Sequence, residues 1–163
     1  MGPEVAPSTE PFTAFYEREH RPVLVLARVL AGDAETAEDV THDSFAAALV
    51  DWERLDNPSA WVRRVVANKA RSHWRRRYAE HRALRTVAAS TPGRYELPDD
   101  TEAFWAEVRR LPARQAQAVT LYYLEDLSVS EIAAVLDCAE ATVRVHLMRG
   151  RRALAERLEV DDE

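Results

Sequence analysis

The chain of 163 residues contains one cysteine, four glycines and no long uncharged apolar run. Each shortage excludes something. A lone Cys138 can close no intrachain disulfide and build no multi-cysteine zinc site. It lies in what reads as a turn, where a small, partly buried residue is expected rather than a reactive thiol. Few glycines and few alternating β-branched runs argue against strands and favour helices. The longest apolar stretch, Pro22 to Ala27, is cut by Arg28, far short of the roughly 20 residues that span a bilayer. The opening MGPEVAPSTEPF is acidic and proline-bearing, unlike a signal peptide, so a cytoplasmic location with no membrane contact of its own is expected. His42 stands among acids with no second histidine at ligand spacing, so no metal site is expected. Glu17, Glu19 and His20 cluster without a nucleophile or a phosphate loop, so neither enzyme chemistry nor a cofactor is expected.

What the chain does have is helical periodicity. In LSVSEIAAVLDCAEATVRVHLMRGRRAL, residues 127–154, Val129, Ile132, Ala133 and Leu136 recur on one helical face, and Val143, Leu147 and Leu154 on another. The link Asp137-Cys138-Ala139 has room only for a turn, and Ser130 and Asp137 are the expected N-caps. This predicts a helix-turn-helix whose second helix enters the major groove. Arg144, Met148, Arg149 and Arg152 point away from the apolar seam, where arginines can pair with guanine edges or grip phosphates. An arginine-rich solvated helix end would show the same cations without any ligand.

Charge is unevenly spread. The net charge of -6 conceals a first third, residues 1–57, holding twelve acids against four arginines. Residues 58–78 hold seven basic residues and no acid. Such polarity implies one basic protein partner and one polyanion. A helix bent or divided near Pro22 is expected over 12–30, ended by Gly32. Asp33 should cap a second helix that ends near Trp52, with Ala37, Val40, Thr41, Ser44, Phe45, Ala48, Leu49 and Trp52 as its buried stripe and Glu38, Asp39, His42 and Asp43 opposite. Ser59 should cap a third, on which Arg64, Asn68, Arg71 and Arg75 share a face suited to phosphates and unstacked bases. Pairing of these arginines with acids of the preceding helix is the alternative. Breakers such as Thr91-Pro92-Gly93 and Leu97-Pro98 mark a linker, and Pro112 should open a helix after one over 101–111.

Four stretches in this order carry a family resemblance. FTAFYEREHRPVLVLARVLAGD, DAETAEDVTHDSFAAAL, NPSAWVRRVVANKARSHWRRR and LPARQAQAVTLYYLEDLSVSEIAAVLDCAEATVRVHLMRGRRAL together resemble the extracytoplasmic-function sigma factors, bacterial subunits that direct RNA polymerase to promoters. The resemblance covers about residues 12–158. It implies an all-α fold of two small helical domains joined by a flexible linker, the C-terminal one containing the helix-turn-helix. The expected division is an N-terminal arm 1–11, a domain 12–79 for polymerase binding, −10 recognition and melting, a linker 80–101, a −35-reading domain 102–158 and an acidic tail 159–163. By resemblance, Asp39, Val40, Asp43 and Phe45 would dock on the clamp coiled coil of the largest polymerase subunit. Trp61, Arg64, Asn68, Lys69, Arg71 and Arg75 would meet the −10 element, with Asn68 at the flipped-base position and Trp61 serving mainly in the core. Thr142, Arg144, Val145, Met148, Arg149 and Arg152 would meet the −35 element.

The chain departs from the family pattern at four places. His42 replaces a usual glutamine, Asp137 and Ala141 stand where glycines are common, and Val145-His146 replaces a common serine-arginine pair. Val145 can touch a thymine methyl but cannot donate a hydrogen bond. The resemblance implies core RNA polymerase, promoter DNA and an anti-sigma protein as partners, and a monomer when free. A stand-alone repressor or activator would use the same helix-turn-helix, but would need a dimer to span two half-sites and leaves the basic third helix without a role.

Overall fold

The computed structural model describes residues 10–84 and 99–160, and among them every regular element is helical. The long helices are α1 (Phe12–Ala31), α2 (Ala34–Val50), α3 (Pro58–Leu84), α4 (Asp99–Arg109), α5 (Ala113–Leu124), α6 (Val129–Leu136) and α7 (Glu140–Val160), with a 3-10 turn at Trp52–Arg54. The arm before residue 10, most of the expected linker and the last three residues lie outside the described part. No described helix is long and apolar enough to cross a membrane.

Helices α1–α3 form the first domain. Apolar residues at helical spacing meet at its centre, with Phe15, Val23, Leu26 and Leu30 from α1, Val40 and Phe45 from α2, and Val62 and Val66 from α3 all buried. Helix α1 is continuous, where a bend or break near Pro22 was expected. Pro22 is on the exposed side, so the carbonyl it cannot serve remains accessible to water. Gly32 ends α1 in the left-handed conformation at φ 83°, donating its N–H to the Arg28 carbonyl at 3.1 Å. Asp33 caps α2 as expected, accepting from the Thr36 N–H at 2.9 Å.

Two expectations change. Leu49 was placed in the buried stripe of α2 but is 55% exposed, because Trp52 and Phe12 close the core below it. Helix α3 begins at Pro58, not after Ser59, and its cap is Asn57, whose Oδ1 accepts the Ala60 N–H at 3.2 Å.

Helices α4–α7 form the second domain around Trp105, Val108, Leu111, Val119, Leu121, Ile132, Leu136, Val143 and Leu147. Pro112 sits at the N-cap of α5, one place before the first turn, and its carbonyl accepts the Ala116 N–H at 3.0 Å. The second domain lies against α1 and α3 of the first. Arg109 carries the join at one end: Nη1 donates to the Val29 carbonyl at 2.8 Å, satisfying an orphan acceptor at the α1 C-terminus. A side chain on Gly32 would place its Cβ 3.3 Å from Arg109 Nε, so the glycine also gives that guanidinium room.

Candidate nucleic-acid interface

The helix-turn-helix of α6 and α7 is locked by its first cap. Ser128 Oγ accepts the Glu131 N–H at 3.1 Å, and the Glu131 carboxylate accepts the Ser128 N–H at 2.7 Å. This reciprocal capping box places the cap at Ser128, two residues before the expected Ser130. Asp137 is not the cap of α7 either. It is the left-handed residue that ends α6, at φ 54°, and the following Cys138 N–H reaches back to the Ala133 carbonyl at 3.2 Å. Aspartate is one of the few non-glycine residues that visits this conformation readily, so the turn closes without glycine.

Val143, Leu147 and Leu154 seat α7 on its domain. Gly150 lies on the same side, and a Cβ there would come within 2.8 Å of Val119 Cγ2, so α5 and α7 approach more closely than alanine allows. On the opposite side Thr142, Arg144, Val145, Met148, Arg149 and Arg152 are all exposed, with Met148 61% accessible. Arg144 pairs with Glu140 at 3.4 Å and Arg152 with Glu156 at 3.9 Å; exposed pairs of this kind are weak and exchange readily for phosphate. Arg151 is engaged elsewhere: its Nε donates to the Tyr123 hydroxyl at 2.7 Å and its guanidinium lies 5.0 Å from the Tyr122 ring centroid. Half-buried His146 is pushed below its ordinary pKa by burial and then by Arg114 and Arg149, which favours the neutral ring.

The α3 face is arranged differently. Lys69 and Arg75 are exposed, and Trp61 is partly buried against the core. Arg64, Asn68 and Arg71 all meet the second domain. Arg64 Nε donates to the Val135 carbonyl at 2.9 Å and Nη2 to the Ala134 carbonyl at 2.8 Å. Asn68 Oδ1 accepts from Gln117 Nε2 at 3.2 Å, and the same Nε2 donates to the Ala67 carbonyl at 3.3 Å. Arg71 donates to the Arg109 and Leu111 carbonyls and lies 4.5 Å from the Trp74 ring centroid. Burial, with Arg75 nearby, lowers the Arg71 pKa to about 10.

Arg63, one residue before Arg64, anchors this seam. Its Nη2 lies 2.7 Å from Glu19 of α1 and 2.9 Å from Glu125 at the end of α5, and all three side chains are buried. Nε donates to Glu125 at 3.0 Å, and Nη1 to Ser59 Oγ at 2.7 Å and the Ser59 carbonyl at 3.3 Å, so all five N–H groups are used. Burial lowers the Arg63 pKa, but Glu125 and Glu19 more than compensate and hold it above its ordinary value. Burial raises the Glu125 carboxyl, with Arg63 opposing and Glu19 assisting. The α3 arginines therefore do not pair mainly with the preceding helix, whose one ion pair to α3 among the described residues reaches back to its N-cap: Arg77 with Asp33.

On α2, Glu38, Asp39, His42 and Asp43 are exposed, while Val40 and Phe45 lie in the core, Phe45 against Phe15 and Tyr16. Leu49 and Val50, the latter 84% exposed, extend the acidic face with apolar surface.

Two family profiles match the chain in order: Sigma-70 region 2 over residues 15–80 and Sigma-70 region 4 over residues 101–154. The chain belongs to the extracytoplasmic-function sigma factors. It is 28% identical over 161 residues to the ECF RNA polymerase sigma factor SigM of Mycobacterium tuberculosis, a match covering 97% of this chain and 82% of that one. It is 26% identical over 148 residues to the ECF sigma factor SigW of Bacillus subtilis, covering 79% of each. Among solved structures it resembles the sigma factor RpoE in complex with the anti-sigma factor NepR from Bartonella quintana, with TM-score 0.69, 25% identity, and coverage of 92% of this chain and 98% of that one. CnrH in complex with the cytosolic domain of CnrY shares the fold at TM-score 0.69 and 23% identity, over 92% of this chain and 88% of that one.

The sigma factor is thus a promoter-specificity subunit, which directs transcription initiation. A stand-alone regulator would account for the region 4 match alone, and region 2 is matched as well. Four residues of these surfaces were not legible in the sequence as surface or seam residues: Leu49, read as part of the buried stripe, Val50, and Gln117 and Glu125, whose partners are distant in sequence. Gly150 carried a signal, a helical glycine in a sequence with few, but nothing local said what approached it.

Proposed function

We propose that the sigma factor docks on core RNA polymerase through α2, reads the −10 strand with α3 and reads the −35 duplex with α7. The observation that carries this is the outward face of α7, where all six expected contact residues are exposed above a buried Val143/Leu147/Leu154 seam. Arg144 and Arg149 supply bidentate donors for base edges or phosphates, and Val145 supplies a methyl contact. On α2, Asp39 and Asp43 offer carboxylates to a basic coiled coil, and exposed Leu49 and Val50 provide the apolar area that a lasting interface needs. Val40 and Phe45 support that face from beneath. Asn68 holds an extruded base while Arg64, Lys69, Arg71 and Arg75 serve the backbone, and Trp61 steadies the start of α3. Unstacking a base costs a few kcal/mol, which such contacts offset.

The chain contributes no catalytic step of its own, works in the cytoplasm beside the polymerase, and is a monomer when free. The solved relative bound by NepR supports an anti-sigma partner for this chain as well. Run-off transcription with core polymerase on a genomic library tests the function: discrete promoter-dependent starts are expected, and promoter-independent or absent transcripts would overturn it. Leu49→Asp with Val50→Asp should abolish co-purification of core polymerase while leaving the helical circular dichroism unchanged, since both side chains are outside the core.

A further inference from the structure

His146 is outside the set of α7 residues expected to read DNA, yet it stands at their edge. It lies three residues before Arg149, on the same side of the helix, and one turn before Gly150. That edge turns toward α5. Gly150 lets α7 pass so close to α5 that a Cβ there would lie 3.7 Å from Gln115 Cβ as well as against Val119. Arg114, the residue before Gln115, is exposed, and its charge reaches the His146 ring. Three basic side chains, Arg114, His146 and Arg149, are therefore gathered where the start of α5 meets the first half of α7.

No carboxylate balances them. Arg114 bonds to the Gln117 carboxamide at 3.4 Å, and neither it nor Arg149 makes an ion pair among the described residues. Their neighbours differ: Arg144 has Glu140, Arg152 has Glu156 and Arg151 has the Tyr123 hydroxyl. The acids of the packed helices are committed elsewhere. Glu131 of α6 accepts the Ser128 N–H, Glu125 after α5 holds Arg63, and Glu107 of α4 faces Arg110 and Arg157. Neither Asp137 in the turn nor Glu140 at the start of α7 acts on the ring. Helix α5 has no side-chain cap and no acid in its first turn, so its dipole adds to the positive potential. Burial first, and then the two arginines, hold the free ring neutral. An anion placed among the three would reverse the second influence.

We propose that Arg114, His146 and Arg149 form a phosphate-binding site at the rim of the −35 interface, and that His146 takes up a proton from solvent when a phosphate of duplex DNA enters it. This rests on the assignment of α7 to the −35 duplex. The ring then has a higher pKa with DNA bound than free. Its added affinity is full below the free value and is lost as pH rises through the bound value. An arginine at this position would grip at any pH; the histidine makes the grip conditional and strengthens it in acid.

The test uses the full chain with a short fluorescent duplex DNA of mixed sequence, because phosphate contacts do not depend on base identity. From about pH 8 down to about pH 5.5, across the histidine range, the affinity of the wild type should rise about three- to tenfold more than that of His146→Gln, since one pKa unit gained on binding is worth about tenfold. His146→Arg should bind tightly at both ends of the range. Proton NMR reads the ring directly: the titration midpoint of the His146 Cε1–H should rise by about 0.5 to 1 pH unit when the duplex is added. Arg114→Ala should flatten the dependence of log affinity on log salt by about 0.9, the loss of one duplex phosphate contact. Parallel pH profiles for wild type and His146→Gln, an NMR midpoint that DNA leaves unchanged, or an unaltered salt slope in Arg114→Ala would each overturn the proposal. Arg144→Ala separates the two failures, because Arg144 lies on the side of α7 opposite His146. If it leaves duplex binding unweakened at every pH, the assignment of α7 falls and takes the site with it. If it weakens binding, parallel profiles count against the site alone.

Discussion

Removing Arg63 should be the most damaging single change at the seam, and its magnitude follows from the geometry. All five N–H groups of the guanidinium are used, and its two carboxylate partners, at 2.7 and 2.9 Å, belong to different domains. Arg63→Ala leaves Glu19 and Glu125 facing each other with no cation between them. Breaking a buried pair in this way costs about 3–5 kcal/mol. In a chain of this size that lowers the melting temperature by roughly 6–20 °C. Glu125→Ala alone should cost less, because it leaves Arg63 paired with Glu19 and bonded to Ser59. In the double variant the orphaned Glu125 carboxylate is gone, so the two losses should fall short of additive by about 1–3 kcal/mol. Urea unfolding followed by tryptophan fluorescence supplies the four midpoints and slopes. Additivity to within about 0.5 kcal/mol would mean that the inter-domain pair does not form in solution, and the closed arrangement would fall with it.

Three further outcomes are expected. Arg149→Ala should cut −35-dependent run-off transcription by about 5- to 100-fold, the loss of one good base or phosphate contact, with unfolding unchanged; transcription at the wild-type level would exclude Arg149 from the interface. Gly150→Ala should destabilise the chain by about 1–3 kcal/mol through the 2.8 Å approach to Val119 Cγ2, and adding Val119→Ala should cost less than it does in the Gly150 background. For pH, Glu125 has a raised pKa, so its stabilising protonation is complete below the ordinary carboxylate value and is lost as pH rises through the raised one. Asp33 runs the other way: burial raises it, but the Thr36 hydrogen bonds with Arg77 and Arg28 outweigh that, so its contribution vanishes as pH falls through a depressed pKa. Between neutrality and about pH 4.5, the wild type should therefore gain urea resistance relative to Glu125→Gln, and parallel profiles would refute the assignment.

Helix order, the helix-turn-helix and its outward cations were all legible in the sequence, because each rests on spacing within one element. Val143, Leu147 and Leu154 determine which side of α7 faces in, and the exposed set follows without any knowledge of partners. Cap positions were less secure: Ser128 and Ser130 are equivalent by composition, and the reciprocal bond to Glu131 decides between them. The state of the α3 face could not be read at all. Arg64, Asn68 and Arg71 do share a face, but the partners that bury Arg71, half-bury Arg64 and bond the still exposed Asn68 come from residues 109–135, across a connection whose periodicity fades. Local pattern tells which residues point outward from a helix; it does not tell what a second domain lays over them. The same limit hid the acids of Arg63, one 44 residues before it and the other 62 residues after it.

Covering Arg64 and Arg71 also bears on how the free chain meets a genome. Non-specific affinity for DNA comes almost wholly from counterions released as cations neutralise phosphates, with about 0.7 of an ion per contact on single strands and 0.9 on duplex. Two arginines engaged with carbonyls release none. The closed chain, with a net charge of -6, accordingly has a shallower salt dependence than its cation content implies. Chromosomal DNA, in vast excess over any promoter, is then a poorer sink for the unbound subunit.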